Sequence, residues 1–225
     1  MNKGIITASA AFALLAGGAI AQPSFTHLQT VSVGSIAASP TGIVVVGNDA
    51  YAVSFGGTSK VIAQISDVAT ASAAVTEFAN LGALSPSFDP GRGLQTINIL
   101  SNNNFIVAGD TGTDGSIAEV DSTTGSIVNQ DADSIGGNPH RYSGADEWGP
   151  DGDIIASQSG SGFFSLISDL SAFDRAAAFL GSGVAFHRDL LLVGNDLFVT
   201  MSANQFGSPG TENDGIYKFA GGTPG

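Results

Sequence analysis

Three groups of residues in this sequence are of types that do chemistry. Asp110-Thr111-Gly112-Thr113-Asp114-Gly115, with Asp121 eleven residues after Asp110, has the outline of a calcium loop. Oxygen ligands would come from Asp110, Asp114 and Asp121 at loop positions 1, 5 and 12, with glycine at position 6 for the sharp bend. Two features weaken the match: Gly112 brings no side-chain oxygen, and an aspartate stands where a longer, bidentate glutamate closes a full site. The competing reading is a polar hairpin loop between two strands. Calcium is the one cofactor that the sequence suggests. The second group is Asp146, Glu147, Asp151 and Asp153, crowded around Trp148, the single tryptophan. Carboxylates this close ligate a hard cation, share a proton with raised pKa values, or stand as solvated turn residues. In so acidic a chain the solvated reading leads, and Glu212-Asn213-Asp214 is a weaker case of the same kind. The third group is basic: His140-Arg141 and His187-Arg188. No nucleophile motif is present. Gly160-Ser161-Gly162 lacks a positioned base, no glycine-rich phosphate loop opens a helix, and no two histidines stand four apart.

The elements that must position these residues follow from composition. The chain has 225 residues, 31 of them glycine, and few lysines or glutamates, which is poor material for helices. Its 43 % hydrophobic content argues against disorder. Many short strands joined by glycine-rich turns are the natural outcome. There is no cysteine, so thiol catalysis, thiolate metal sites and disulfides are excluded. The net charge of −13 repels nucleic acid and anionic lipid, and nucleic-acid binding is rejected on that ground.

The first 21 residues read as a secretory signal. Lys3 is followed by an uncharged apolar run to Ile20, and Ala19-Ile20-Ala21 offers an A-x-A cleavage site before Gln22. The run is interrupted by Gly17-Gly18 and is short for a bilayer span, which needs about 20 apolar residues. No other segment is apolar enough to cross, so the expected location is secreted or periplasmic. Cleavage leaves residues 22–225, enough for one domain with a sizeable core.

Within that domain one pattern recurs. Apolar runs at 43–46, 50–55, 61–65 and 74–78 are separated by turn residues, although the alanine-rich stretch 69–79 could also be a short helix. The same four strokes return at 94–100, 105–108, 117–120 and 127–130, and again at 145–148, 154–157, 163–167 and 176–180. A fourth pass has 190–193, 197–201 and 216–219. The first-turn residues Asn48, Asn103, Asp151 and Asn195 lie 55, 48 and 44 residues apart, and Asp67, Asp121 and Asp169 follow the third strand. A four-stranded repeat of about 40–50 residues is the signature of a β-propeller blade. The alternative is a β-sandwich with evenly spaced strands. The expected fold is therefore all-β: a propeller of four-stranded antiparallel blades, about four of them, near residues 40–85, 86–137, 138–182 and 183–225. Residues 25–33 form a further strand, suited to closing the ring. Because the fourth pass stops at Phe219 before a turn, the chain is read as part of a larger propeller.

Two motifs carry a family resemblance. Gly149-Pro150-Asp151-Gly152-Asp153-Ile154-Ile155-Ala156-Ser157 resembles the G-P-D-G blade motif of NHL and YVTN-type bacterial propellers, and Asp121-Ser122-Thr123-Thr124-Gly125 resembles their D-x-x-T-G turn. The first and fourth repeats depart from it, with Gly-Asn-Asp in place of Gly-Pro-Asp-Gly. The resemblance implies a ring with a central channel whose rim carries function. His140, Arg141, His187 and Arg188, each shortly before an innermost strand, would line one rim if both pairs hold the same place in the repeat. They would draw a small anionic ligand such as a carboxylate or a sugar acid. The plainer reading is that these arginines neutralise acids such as Asp146 or Asp189. The expected function is a non-enzymatic binding module for a macromolecule or an envelope component. The alternative is a metal-dependent propeller hydrolase of the sugar-lactonase type.

Overall fold

The computed structural model describes residues 30–202 and 215–219, apart from residues 35, 38, 56–59, 86–91, 111–114, 132–141, 149–151, 159–163, 169, 171–174, 180–185 and 195. For residues 110, 131, 158, 175–179, 186–188, 201 and 202 it describes the backbone. The strands form four antiparallel sheets, each made by consecutive stretches of chain. Sheet 1 holds β1 (Pro40–Val46), β2 (Asp49–Ser54), β3 (Val61–Ser66) and β4 (Ala74–Asn80), followed by a single helical turn, α1 (Leu81–Leu84). Sheet 2 holds β5 (Leu94–Ile99), β6 (Phe105–Asp110), β7 (Gly115–Val120) and β8 (Ile127–Asp131). Sheet 3 holds β9 (Tyr142–Trp148), β10 (Asp153–Gln158), β11 (Phe164–Ile167) and β12 (Arg175–Phe179). Sheet 4 holds β13 (Phe186–Val193), β14 (Asp196–Ser202) and β15 (Gly215–Phe219). Among the described residues no helix is long and apolar enough to cross a membrane.

Local chemistry explains the hairpins. The first turn of every sheet carries one residue in the left-handed region: Gly47, Asn103, Gly152 and Gly194, with φ between 62° and 75°. That conformation gives a tight turn the twist its flanking strands need, and glycine or asparagine adopts it at least cost. The alanine-rich stretch 69–79 resolves into a turn and then β4. There Val75 pairs with Ile65 and Thr76 with Gln64, so the β-branched residues sit in a ladder that satisfies the backbone. The D-x-x-T-G turn closes as its sequence implies. Asp121 accepts hydrogen bonds from the backbone N–H groups of Thr123 and Thr124, both at 2.8 Å, and the Gly125 N–H reaches the Asp121 carbonyl at 2.9 Å. Those donors hold the Asp121 carboxyl below the usual range.

Each first strand also carries one extra residue against its partner. The register skips Thr41 in β1, Gln95 in β5, Ser143 in β9 and Arg188 in β13. A bulge at the same place four times over bends and twists each first strand alike. Counting from it, Gly42, Thr96, Gly144 and Asp189 are equivalent, and so are Val44, Asn98, Asp146 and Leu191.

The core lies between the sheets in layers. Tyr51, Val53 and Ile62 of sheet 1 pack on Ile97, Phe105 and Val107 of sheet 2. Leu100, Ile106 and Ile117 leave the other face of sheet 2 to meet Ala145, Ile154 and Ile167 of sheet 3. Trp148, Ile155 and Phe164 then meet Leu190, Leu197 and Val199 of sheet 4. Period-two alternation along each strand sends successive residues to opposite faces. An inner sheet therefore reads as nearly continuous apolar sequence, because both of its faces are covered. Val33 and Ala37 pack on Ala50, Ala63 and Ile65 over the outer face of sheet 1, joined by Val31. Of the proposed closing strand, residues 25–29 lie outside the described residues. Val31 and Val33 are not in a strand and sit on sheet 1.

Candidate functional site at the convergence of the first strands

The first strand of each sheet runs beside that of the next, β1 against β5, β5 against β9 and β9 against β13. Two positions have no side chain for a physical reason. A Cβ on Gly42 would stand 3.0 Å from the Ile97 nitrogen, and one on Gly144 would stand 3.0 Å from the Leu190 nitrogen. At the equivalent positions on the alternate sheets stand Thr96 and Asp189, and they meet. The Thr96 Oγ1 donates to Asp189 Oδ1 at 3.3 Å, joining sheets 2 and 4 past the strand between them. Further bonds tie neighbours: Thr41 Oγ1 to the Leu94 carbonyl at 3.2 Å, and Asn98 Nδ2 to the Ala145 carbonyl at 2.7 Å.

Beside these bonds opens a cavity of about 490 Å³ to which all four sheets contribute, with Val44, Asn98, Ser101, Asp146, Glu147 and Leu191 on its walls. Asp146 is 8 % exposed, and its two oxygens accept the backbone N–H groups of Glu147 at 2.9 Å and of Leu192 at 3.1 Å. Burial pushes its carboxyl up to about 6; the two backbone donors oppose this, and the neighbouring carboxylates of Glu147 and Asp189 add to it. Asp189 shows some atoms to solvent, but its carboxyl is turned in toward Thr96. Loss of solvation raises its pKa, against the donors Leu190 N–H and Thr96. Glu147 receives both the backbone N–H and the hydroxyl of Ser101, the latter at 2.7 Å.

A second, smaller cavity of about 180 Å³ lies between sheets 2 and 3, with Asn102, Glu119, Asn129 and Glu147 on its wall. Glu119 accepts amide donors from Asn104 at 2.6 Å, Asn102 at 2.8 Å and Asn129 at 3.0 Å. Burial alone would raise its carboxyl, but the three donors together bring it below its ordinary value.

The positions expected from the sequence fall differently. Asp110 ends β6 and Asp121 follows β7, so the six residues of β7 separate them. At about 3.3 Å per residue that is some 20 Å, too far for one ion bound at about 2.4 Å. β6 and β7 pair as a hairpin, and Asp114 lies outside the described residues. Among the described residues no three metal-ligating side chains converge. His140 and Arg141 also lie outside the described residues, and of His187 and Arg188 only the backbone is described. Arg188 is the bulge residue of β13, as Ser143 is of β9, and Arg141 precedes Ser143 by two residues in the sequence. Asp146, read in sequence as a solvated turn acid, is instead buried in β9. Trp148, between Glu147 and Asp151 in sequence, is in the core. Thr96, Asn98, Asp189 and Glu119 gave no local signal of a site. Only the bulge register relates Thr96 to Asp189, and it is a property of pairing.

Comparison with known proteins bears on this geometry. No protein-family model and no curated sequence matches the chain. Solved structures do. Hydrazine synthase of Kuenenia stuttgartiensis superposes with a TM-score of 0.54 at 15 % identity, over 87 % of this chain and 49 % of that one. Virginiamycin B lyase of Staphylococcus aureus gives 0.50 at 19 % identity, over 83 % and 57 %. A protein of unknown function from Bacteroides caccae gives 0.50 at 15 %, over 72 % and 52 %. The chain is an all-β propeller. It spans about half the length of each of these three chains. The sheets are its blades, and the cavity at their first strands lies where the blades converge.

Proposed function

We propose that this protein is an exported propeller of the NHL and YVTN type that acts as a binding module, taking its ligand in the cavity where the four first strands converge. One observation carries the reading: all four blades contribute to that cavity, and its polar wall is acidic and amide-bearing, from Asp146, Glu147 and Asn98. Carboxylates and an amide carbonyl accept hydrogen bonds and favour positive charge, so the ligand class is a cationic or hydroxyl-rich group presented by a macromolecule or envelope component. A small anionic ligand has no support from the described side chains of this wall. The closed D-x-x-T-G turn at Asp121 supports the family, and the leader-like residues 1–21 support export.

The test is a thermal-shift and calorimetric panel of polyamines, basic peptides and neutral oligosaccharides against the chain and its Glu147→Gln variant. Binding of one class, lost in the variant while the fold persists, is the expected result. Equal affinity in the variant would place the ligand elsewhere. For export, the intact mass of secreted material should begin at Gln22; retention of residues 1–21 would remove that part of the reading.

A further inference from the structure

Three times in this molecule the forward face of one blade packs on the rear face of the next. The forward faces present Val44, Tyr51 and Val53 in blade 1, Leu100, Ile106 and Ile117 in blade 2, and Trp148, Ile155 and Phe164 in blade 3. The same count from the bulge assigns Leu191 and Val193 of β13, with Phe198 and Ile216 paired beside them, to the forward face of blade 4. No described residue covers that face. Leu191 is 56 % exposed and Ile216 73 %, and with Val193 and Phe198 they line an apolar groove of about 420 Å³. The register also assigns Ile43 and Val45 of β1 to the rear face of blade 1, where Ile43 is 62 % exposed. The outer part of that rear face is covered by Val33 and Ala37, so what stays open is its inner strand.

We infer that these two faces are partners, and that the forward face of blade 4 receives the rear face of blade 1 of a second copy of this chain. The two open surfaces are the two halves of a contact that the fold already makes three times, apolar at the centre of both sides, with the Lys218–Asp196 ion pair beside Phe198 on blade 4, and built on strands with the same bulge. A contact between unlike faces of identical chains is heterologous, and it closes a ring when the rotation permits. Two copies joined at both ends satisfy all four open faces at once. The second contact then forms within the pair, at high effective concentration.

Sedimentation velocity on the purified chain at micromolar concentration should show twice the monomer mass. Leu191→Lys on one face and Ile43→Lys on the other should each weaken association at least about ten-fold, since each puts a charge into the centre of an apolar contact. Both positions are exposed, so circular dichroism and the melting temperature of the separated monomers should match those of the parent. The deciding measurement mixes the two variants. A head-to-tail pair of one Leu191→Lys chain with one Ile43→Lys chain retains one unaltered contact, so the mixture should dimerise more tightly than either variant alone. A monomeric parent chain overturns the inference. A dimer broken by Leu191→Lys but not by Ile43→Lys also overturns it, because blade 4 would then be pairing with itself. A monomeric parent whose melting temperature falls in both variants would show the faces closing within one chain.

Discussion

Asp146 and Glu119 are both withdrawn from water, and they respond in opposite directions because their neighbours differ. Glu119 has three amide donors, and together they outweigh the burial. Asp146 has two backbone donors but shares its surroundings with Glu147 and Asp189, and burial wins. Its carboxyl titrates near 6 in the fold and near 3.8 when unfolded, so between those values the folded chain holds a proton that the unfolded chain has lost. Stability from this group therefore rises as pH falls from 7 toward 4, and at pH 7 the ionised form costs the fold on the order of 3 kcal/mol. Asp146→Asn cannot titrate, though its amide N–H₂ must face one of the two backbone donors. Its stability relative to the parent should therefore fall between pH 7 and pH 4, as the parent gains its proton, read from urea unfolding at both values. A relative stability unchanged between the two values would mean that Asp146 does not carry this pH dependence. Glu119→Gln should move the other way. It sets an amide donor among three others, costing about 1–3 kcal/mol at pH 7, and the loss should shrink as acid protonates the parent.

At the scale of the element, the first strands are held close by the absence of a side chain. An alanine at Gly144 would press its Cβ to 3.0 Å from both the Leu190 nitrogen and the Ser157 hydroxyl, and to 3.2 Å from the Asp189 Cα. Backbone cannot rotate aside as a side chain can, so β9 and β13 must separate. Gly144→Ala should cost about 1–3 kcal/mol and weaken any ligand of the convergence cavity, since Asp146 lies two residues along β9. Calorimetry of the variant checks both, and an unchanged melting temperature would show that the strands have room to shift. The turn at Asp121 is a contrasting case. Its bonds are local to the six residues from Asp121 to Ser126, so its loss should disturb the β7–β8 corner and leave the cavity intact.

For the molecule as a whole, the layers between blades make the propeller one cooperative body. Tyr51 and Phe78 of blade 1 and Phe105 of blade 2 form a ring cluster, with centroids 4.8 to 6.1 Å apart. Truncating a residue shared by two blades removes core from both. Phe105→Ala should therefore cost about 3–5 kcal/mol and lower a single unfolding transition in differential scanning calorimetry. Two separated transitions would instead show blade 1 unfolding independently.

The sequence by itself determined what is local. Period-two alternation specified strands, the turn residues placed their ends, and Gly47, Asn103, Gly152 and Gly194 sit where only a permissive backbone makes the hairpin cheaply. The recurrence of that unit was enough for the fold class, since a small sheet with two apolar faces must be stacked. Tertiary structure decided everything that depends on distance. Asp146, Asp151 and Asp153 look alike in the chain, but Asp146 is buried because β13, more than forty residues later, covers it and supplies the Leu192 N–H. Asp110 and Asp121 had a ligand-like spacing, and a strand between them turned that spacing into length. Thr96 and Asp189 are 93 residues apart and touch. The bulge that aligns them is a matter of how strands pair, because one extra residue resets which side chains face the convergence and which face the neighbouring blade.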